Sequence, residues 1–352
     1  MRFYHAFPRV PRTSQLEDAD RRSLGERILG SILRHGLLLA PEPLHIPPNP
    51  ASDLASPPST TIIQRRASFT LLEPEELHAP HPHAEMFGRF AIGVGTMTAR
   101  ELGMVPTLYY YRSADADRRR GPEDSGISQE ILYRLSEVRR LLIALAHLEA
   151  CAFPASRLHR SVEQLRIFGL VLDDEVNIKA ELDALQQSEA RRVSRLLNTD
   201  RVPAWNLAEW IEIILSMFQT ADSGERRRHL AYYAQREWRI VQFLAEGTKC
   251  FPLREEYWPF LVSSPAGSWT VLANARREIE QAMRGRKSSF DLDECYLLMG
   301  AGGRPFREFI SELVVPVECG NSARSLLQEV GLSSRFSASQ QRDSLVFEYL
   351  EG

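Results

Sequence analysis

The sequence predicts an α+β protein, a mixed or antiparallel sheet with a helical insert, and three observations predict it. Short runs rich in β-branched and aromatic residues fill the first third of the chain. Apolar residues three and four apart dominate from 128 to 220, and strand-like runs return after that. Strands, then helices, then strands favour one domain over residues 1–352, whose sheet is completed by late segments. No internal repeat is present, which excludes a solenoid.

The first predicted strand is Arg2 to Phe7, RFYHAF. A helix follows from Ser23 to Arg34, where Leu24, Ile28, Leu29 and Ile32 recur at helical spacing and Gly36 marks the end. Pro41, Pro43, Pro47, Pro48, Pro50, Pro57 and Pro58 make 40–60 a proline-rich loop, because each proline removes a backbone donor and fixes φ. Strand patterns resume in ASFTLL after Ile62, in RFAIGVG from Arg89 to Gly95, and in VPTLYYYR from Val105 to Arg112, with the helical turn TARELG between the last two. The segments ILYRLSEVRRLLIALAHLEA and AEWIEIILSMF place the helical insert at 128–220. Late strands are predicted at Glu237 to Phe243, EWRIVQF, and at Ile310 to Val317, ISELVVPV.

Composition narrows the function classes. With 43% hydrophobic and 25% charged residues the chain is ordinary globular protein. It has no run of about eighteen uncharged apolar residues, and MRFYHAFPRVPR lacks the apolar segment of a secretory signal, so a cytoplasmic protein without membrane contact is expected. Cys151, Cys250, Cys295 and Cys319 are too dispersed for a zinc knuckle or a dithiol motif and are expected to be reduced and mostly buried. A formal net charge of −3 gives no global attraction to nucleic acid. Only Lys179, Lys249 and Lys287 among the 43 basic residues are lysine, which most simply reflects a coding bias, with anion recognition by guanidinium groups as the alternative.

Several motifs carry competing readings. His78, His81 and His83 form H-x-x-H-x-H, yet Pro80 and Pro82 alternate with them, as in an exposed extended loop, and no metal is expected. Gly88, Gly93 and Gly95 lack the spacing of a nucleotide loop, and Gly300, Gly302 and Gly303 in MGAGGRPF read as a tight turn. Arg226, Arg227 and Arg228 would meet nucleic-acid phosphates or form a solvated helix face.

The segment YYAQREWRIV, Tyr232 to Val241, holds Gln235 and Glu237 two apart, which in an extended backbone point the same way. A glutamine and a carboxylate facing one cavity could orient a nucleophile and stabilise an oxocarbenium-like transition state. The plain alternative is an edge-strand glutamate paired with Arg239. Tyr4 and His5 in the opening strand offer a ring to stack on a planar base and an imidazole to hydrogen-bond a ribose.

Taken in order, FYHAF, ILRHGLLL, SFTLLEPEEL, the stretch from His83 to Val94, LGMVPTLYY, YYAQREWRIV and VVPVE from Val314 to Glu318 resemble the AbiGi-like abortive-infection family. The resemblance implies a bacterial phage-resistance protein, in a family described as the antitoxin side of a two-gene system, with a partner toxin. That family commonly has glutamate where Gln235 stands and tyrosine where Phe87 stands.

The layout of an early strand histidine, a middle aromatic-glycine strand and a late Q/E-x-E is also similar to DarT-like ADP-ribosyltransferases. This likeness implies NAD as substrate, Glu237 and Gln235 as catalytic residues, and His5, Tyr4 and Phe87 around the dinucleotide, with nucleic acid or protein as acceptor. Two functions follow: transfer of ADP-ribose from NAD, or a non-enzymatic antitoxin or regulator that binds a partner toxin or RNA through the helical insert and Arg226 to Arg228.

Overall fold

The computed structural model describes residues 2–8, 17–46, 60–73, 76, 87–112, 131–139, 142, 204–222, 236–241, 249–260, 267–283 and 291–350. The chain forms two compact units. The first takes residues 1–41, 65–107 and 227–352, and the second takes 42–64 and 108–226. The predicted insert at 128–220 falls inside the second unit, which also claims 42–64 and 108–127.

The first unit is mixed α and β around a large antiparallel sheet. Its strands are β1 (Arg2–Phe7), β2 (Leu37–Ile46), β3 (Thr60–Leu72), β4 (Phe90–Val94) and β5 (Val105–Pro106). Later in the chain come β8 (Glu237–Val241), β9 (Lys249–Pro252), β10 (Tyr296–Ala301), β11 (Arg304–Pro305), β12 (Glu312–Pro316), β13 (Phe336–Gln341) and β14 (Ser344–Tyr349). The order runs β11-β10-β2-β3-β1-β4-β12-β14-β13, with β8 on β3 and β5, and β9 on β10; β2 and β3 run on into the second unit. The sheet therefore joins the first strand of the chain to its last ones: β1 pairs with β3 and β4, and β4 pairs with β12.

Alternation along the strands sorts the side chains between two faces. One face carries Phe3, Phe7, Ala67, Phe69, Ile92, Val94, Leu313, Val315 and Phe347, all in the main core. Helix α1 (Asp18–His35) contributes Leu29, Ile32 and Leu33 to this core, each burial worth about 2 kcal/mol. It ends where predicted, with the Gly36 N–H donating to Ile32 O. Helix α5 (Gly320–Glu329) adds Ala323 and Leu327 to the same core. Helix α4 (Gly267–Met283) packs Leu272, Ala275 and Ile279 against Leu253, Trp258 and Leu297 in a smaller cluster. The short α2 (Thr96–Glu101) supplies Ala99 to the main core.

The second unit contains β6 (Leu108–Arg112) paired in parallel with β7 (Phe218–Asp222), helix α3 (Ala204–Ser216) and helical residues 131–139. Leu44, Ile46, Ile62, Leu132, Leu215 and Phe218 form its described core.

Three expectations need correction. The sequence predicts a proline-rich loop at 40–60, but β2 continues to Ile46 through Pro41 and Pro43. Prolines two apart in a strand lose N–H groups on one edge only, and the β10 ladder on β2 ends at Leu39, before the first of them. Residues 47–59 lie outside the described residues. The single predicted strand VPTLYYYR is two: Val105 and Pro106 pair with β8, while Leu108–Arg112 pair with β7. The insert's last helix ends at Ser216, and Phe218–Asp222 is strand. MGAGGRPF is the tight turn its glycines predict. Gly300 and Ala301 pair with Pro305 and Arg304, and Gly302 and Gly303 take φ of 55° and 81°, the left-handed pair a two-residue hairpin demands.

Candidate functional site

Cross-strand register assembles the residues around Glu237. Tyr4 of β1 stands opposite Thr70 of β3, and Thr70 stands opposite Glu237 of β8. Directly opposed residues share a face, so Tyr4, Thr70 and Glu237 lie on one rung and one side of the sheet. The rung continues on the other flank of β1, because Tyr4 pairs with Gly93, Gly93 with Glu312, and Glu312 with Glu348. One row of polar side chains thus crosses six strands, interrupted only by Gly93.

Each carboxylate in the middle of this row has an arginine. Glu237 Oε1 accepts from Arg239 Nε at 2.9 Å and from Ser68 Oγ at 2.8 Å, and Ser68 faces Arg239 in the register. The Arg239 side chain is 1% exposed and that of Glu237 17%, so this is a largely desolvated ion pair. Glu312 accepts from the Tyr4 hydroxyl at 2.8 Å and is paired with Arg2, whose guanidinium also reaches Glu348. Tyr4 is 1% and Glu312 2% exposed. Gly93 makes the Tyr4 contact sterically feasible: a Cβ there would lie 2.9 Å from the Tyr4 ring and 3.0 Å from Glu312 Cβ. Four strand spacings separate Glu237 from Glu312, about 19 Å, too far for a cooperating pair of carboxylates.

His5 belongs to the opposite face. It follows Tyr4 in the strand, its ring lies 5.4 Å from Phe69 and 6.0 Å from Phe7, and Phe69 stands opposite Trp238, the neighbour of Glu237. Its Nδ1–H donates to the Ser68 carbonyl at 2.8 Å, which fixes the tautomer because a carbonyl can only accept. Burial among phenyl rings lowers its pKa below 6.5, against the pull of that hydrogen bond, and the ring stays neutral at pH 7.

The structure therefore brings Tyr4 and Glu237 to one face and sends His5 to the other. Phe87 precedes Gly88 and Arg89 at the start of β4, whose Phe90 pairs with Phe7 at the end of β1. That is the end of the sheet at which β1 finishes. Gln235, Arg226, Arg227 and Arg228 lie outside the described residues, as do His78, His81 and His83. Immediately before Glu237, Arg236 makes a two-pronged contact with Glu76, both bonds 2.8 Å, which anchors the entry of β8 against the segment after β3.

The Arg2–Glu312–Tyr4 cluster was missed by sequence reasoning. Its signals were present: Arg2 and Tyr4 alternate in RFYHAF, and Glu312 is an acid inside the apolar run ISELVVPV. Among the described residues no group of three or more His, Cys, Asp or Glu could hold a metal ion, and no helix is long and apolar enough to cross a membrane.

No family model, curated protein or solved structure matches this chain.

Proposed function

We propose that this chain acts by binding a partner protein, as the non-enzymatic member of an abortive-infection pair, and does not transfer ADP-ribose from NAD. The defence context rests on the sequence resemblance, as does an ADP-ribosyltransferase-like assignment of the core. One observation carries the choice between the two functions. The Glu237 carboxylate is engaged by Arg239 and Ser68 on the face of the sheet opposite His5, so the glutamate assigned to polarise the nicotinamide ribose and the histidine assigned to contact a ribose do not lie side by side. A glutamate that polarises a ribose needs its carboxylate directed at the sugar, and here it neutralises a guanidinium that is 1% exposed. The formal net charge of −3 supports a protein over an RNA as the partner.

Titration calorimetry with NAD tests the choice. The partner-binding reading expects no saturable heat from the purified full chain. Saturable binding abolished by Glu237→Gln, with the fold retained, would return the assignment to the transferase.

A further inference from the structure

The sheet guards its edges unequally. An edge strand presents unpaired N–H and C=O groups, and folded proteins blunt such edges with short strands, charges or proline. Among the described residues, β5 is two residues long and ends in Pro106, β11 is Arg304–Pro305, and β9 carries Lys249 and Pro252. Strand β13, at the end of the order beyond β14, has none of these devices. It is six residues, FSASQQ, without charge or proline, and Ser337, Ala338, Ser339 and Gln340 are all exposed.

The phase of its hydrogen bonds follows from its neighbours. Leu350 N–H donates to Arg335 O, and Tyr349 N–H is turned the other way, toward Ser311 of the β12 side. Residues 335, 337, 339 and 341 therefore face β14, and the backbone groups of Phe336, Ala338 and Gln340 point outward. An incoming antiparallel strand must match that alternation. Self-pairing centred on Ala338 does so: Ala338 meets Ala338, Phe336 meets Gln340, and about six backbone hydrogen bonds close. This register sets Arg335 opposite Gln341, so no like charges meet; moving it by half a step would oppose Arg335 to Arg342 and break the hydrogen-bond phase. A two-fold axis through Ala338 gives a closed pair rather than an open chain.

We infer that β13 is a self-association edge through which two copies of this chain join their sheets, antiparallel and in register at Ala338. This goes beyond the partner-binding reading and does not depend on it. The test is light scattering coupled to size exclusion over a concentration series of the full chain, beside Ala338→Pro and Ala338→Cys.

Proline at 338 deletes an outward N–H and leaves the β14 ladder intact. Losing two hydrogen bonds per dimer is expected to weaken dimerisation about thirty-fold. In the cysteine variant the paired Cα atoms sit about 5.5 Å apart, within disulfide reach, so mild oxidation is expected to give a 338–338 linked peptide absent from wild type. A wild-type chain that stays monomeric throughout the series overturns the inference. So does a dimer that survives Ala338→Pro and yields no 338–338 link. If the proline variant loses its far-UV signature, the cysteine cross-link alone decides.

Discussion

Replacing Glu237 by glutamine separates a structural carboxylate from a catalytic one, because the two roles predict different effects on stability. The Glu237 and Arg239 side chains meet at 2.9 Å with 17% and 1% exposure. Two unit charges about 4 Å apart attract by about 4 kcal/mol at the effective dielectric of such sites. Glutamine keeps the shape and an acceptor for Arg239 and Ser68, so part of this survives as neutral hydrogen bonding, and partial exposure of Glu237 screens more of it.

The net loss expected is about 2 kcal/mol, with Arg239 left buried beside a neutral amide. Urea unfolding followed by circular dichroism reads it as a lower midpoint at unchanged slope. Combining Arg239→Met with Glu237→Gln is expected to cost less than the sum of the two single changes, since the two side chains bond each other. A Glu237→Gln variant as stable as wild type, or more stable, would refute the structural role, because removing catalytic groups typically leaves stability unchanged or raised.

Three further outcomes are expected. Tyr4→Phe removes the hydroxyl bonded to buried Glu312 and is expected to cost about 2 kcal/mol in the same unfolding assay. His5 has a folded pKa below its unfolded value of 6.5, so protons bind the unfolded chain first. Stability is expected to fall as pH drops below about 6.5 toward the folded value, and His5→Gln should flatten that slope in unfolding measured from pH 8 to pH 5. Burial pushes the Cys295 thiol up to about 12 and the Cys319 thiol up to about 11, and it raises Cys250 as well. Site-resolved alkylation at about pH 8 is therefore expected to spare all three in the native chain and modify them in denaturant.

Local features of the fold were legible in the sequence. RFYHAF is β1 with its predicted bounds, Gly36 ends α1, and Gly302 and Gly303 make the hairpin turn. These depend on neighbours in the chain. The missed elements do not announce themselves locally. FSASQQ in β13 alternates only over Phe336 to Ser339 and has no β-branched residue, and it is a strand because Ser344–Tyr349 pairs with it. YLLMGA in β10 is a continuous apolar run with no period to read. Pro41 and Pro43 argue against a strand by composition, and tertiary pairing overrides them.

The candidate site was legible only in part for the same reason. Spacing predicts that Gln235 and Glu237 share a direction in an extended backbone, and that Tyr4 and His5 do not; Gln235 lies outside the described residues. Which of Tyr4 and His5 shares a face with Glu237 depends on β3 lying between β1 and β8 and on the register Tyr4–Thr70–Glu237, and both are set far along the chain. Of the plain alternative for Glu237, the ion pair with Arg239 is observed, but β8 pairs with both β3 and β5 and is not an edge strand.

The most direct test of the account is nicotinamide release from labelled NAD by the purified full chain, incubated with bacterial nucleic acid and protein beside Glu237→Gln. Glu237 held by Arg239 on the face opposite His5 predicts release no faster than buffer for both proteins, and no label on any acceptor. Release or label transfer by wild type that Glu237→Gln abolishes, with both proteins folded, would contradict it.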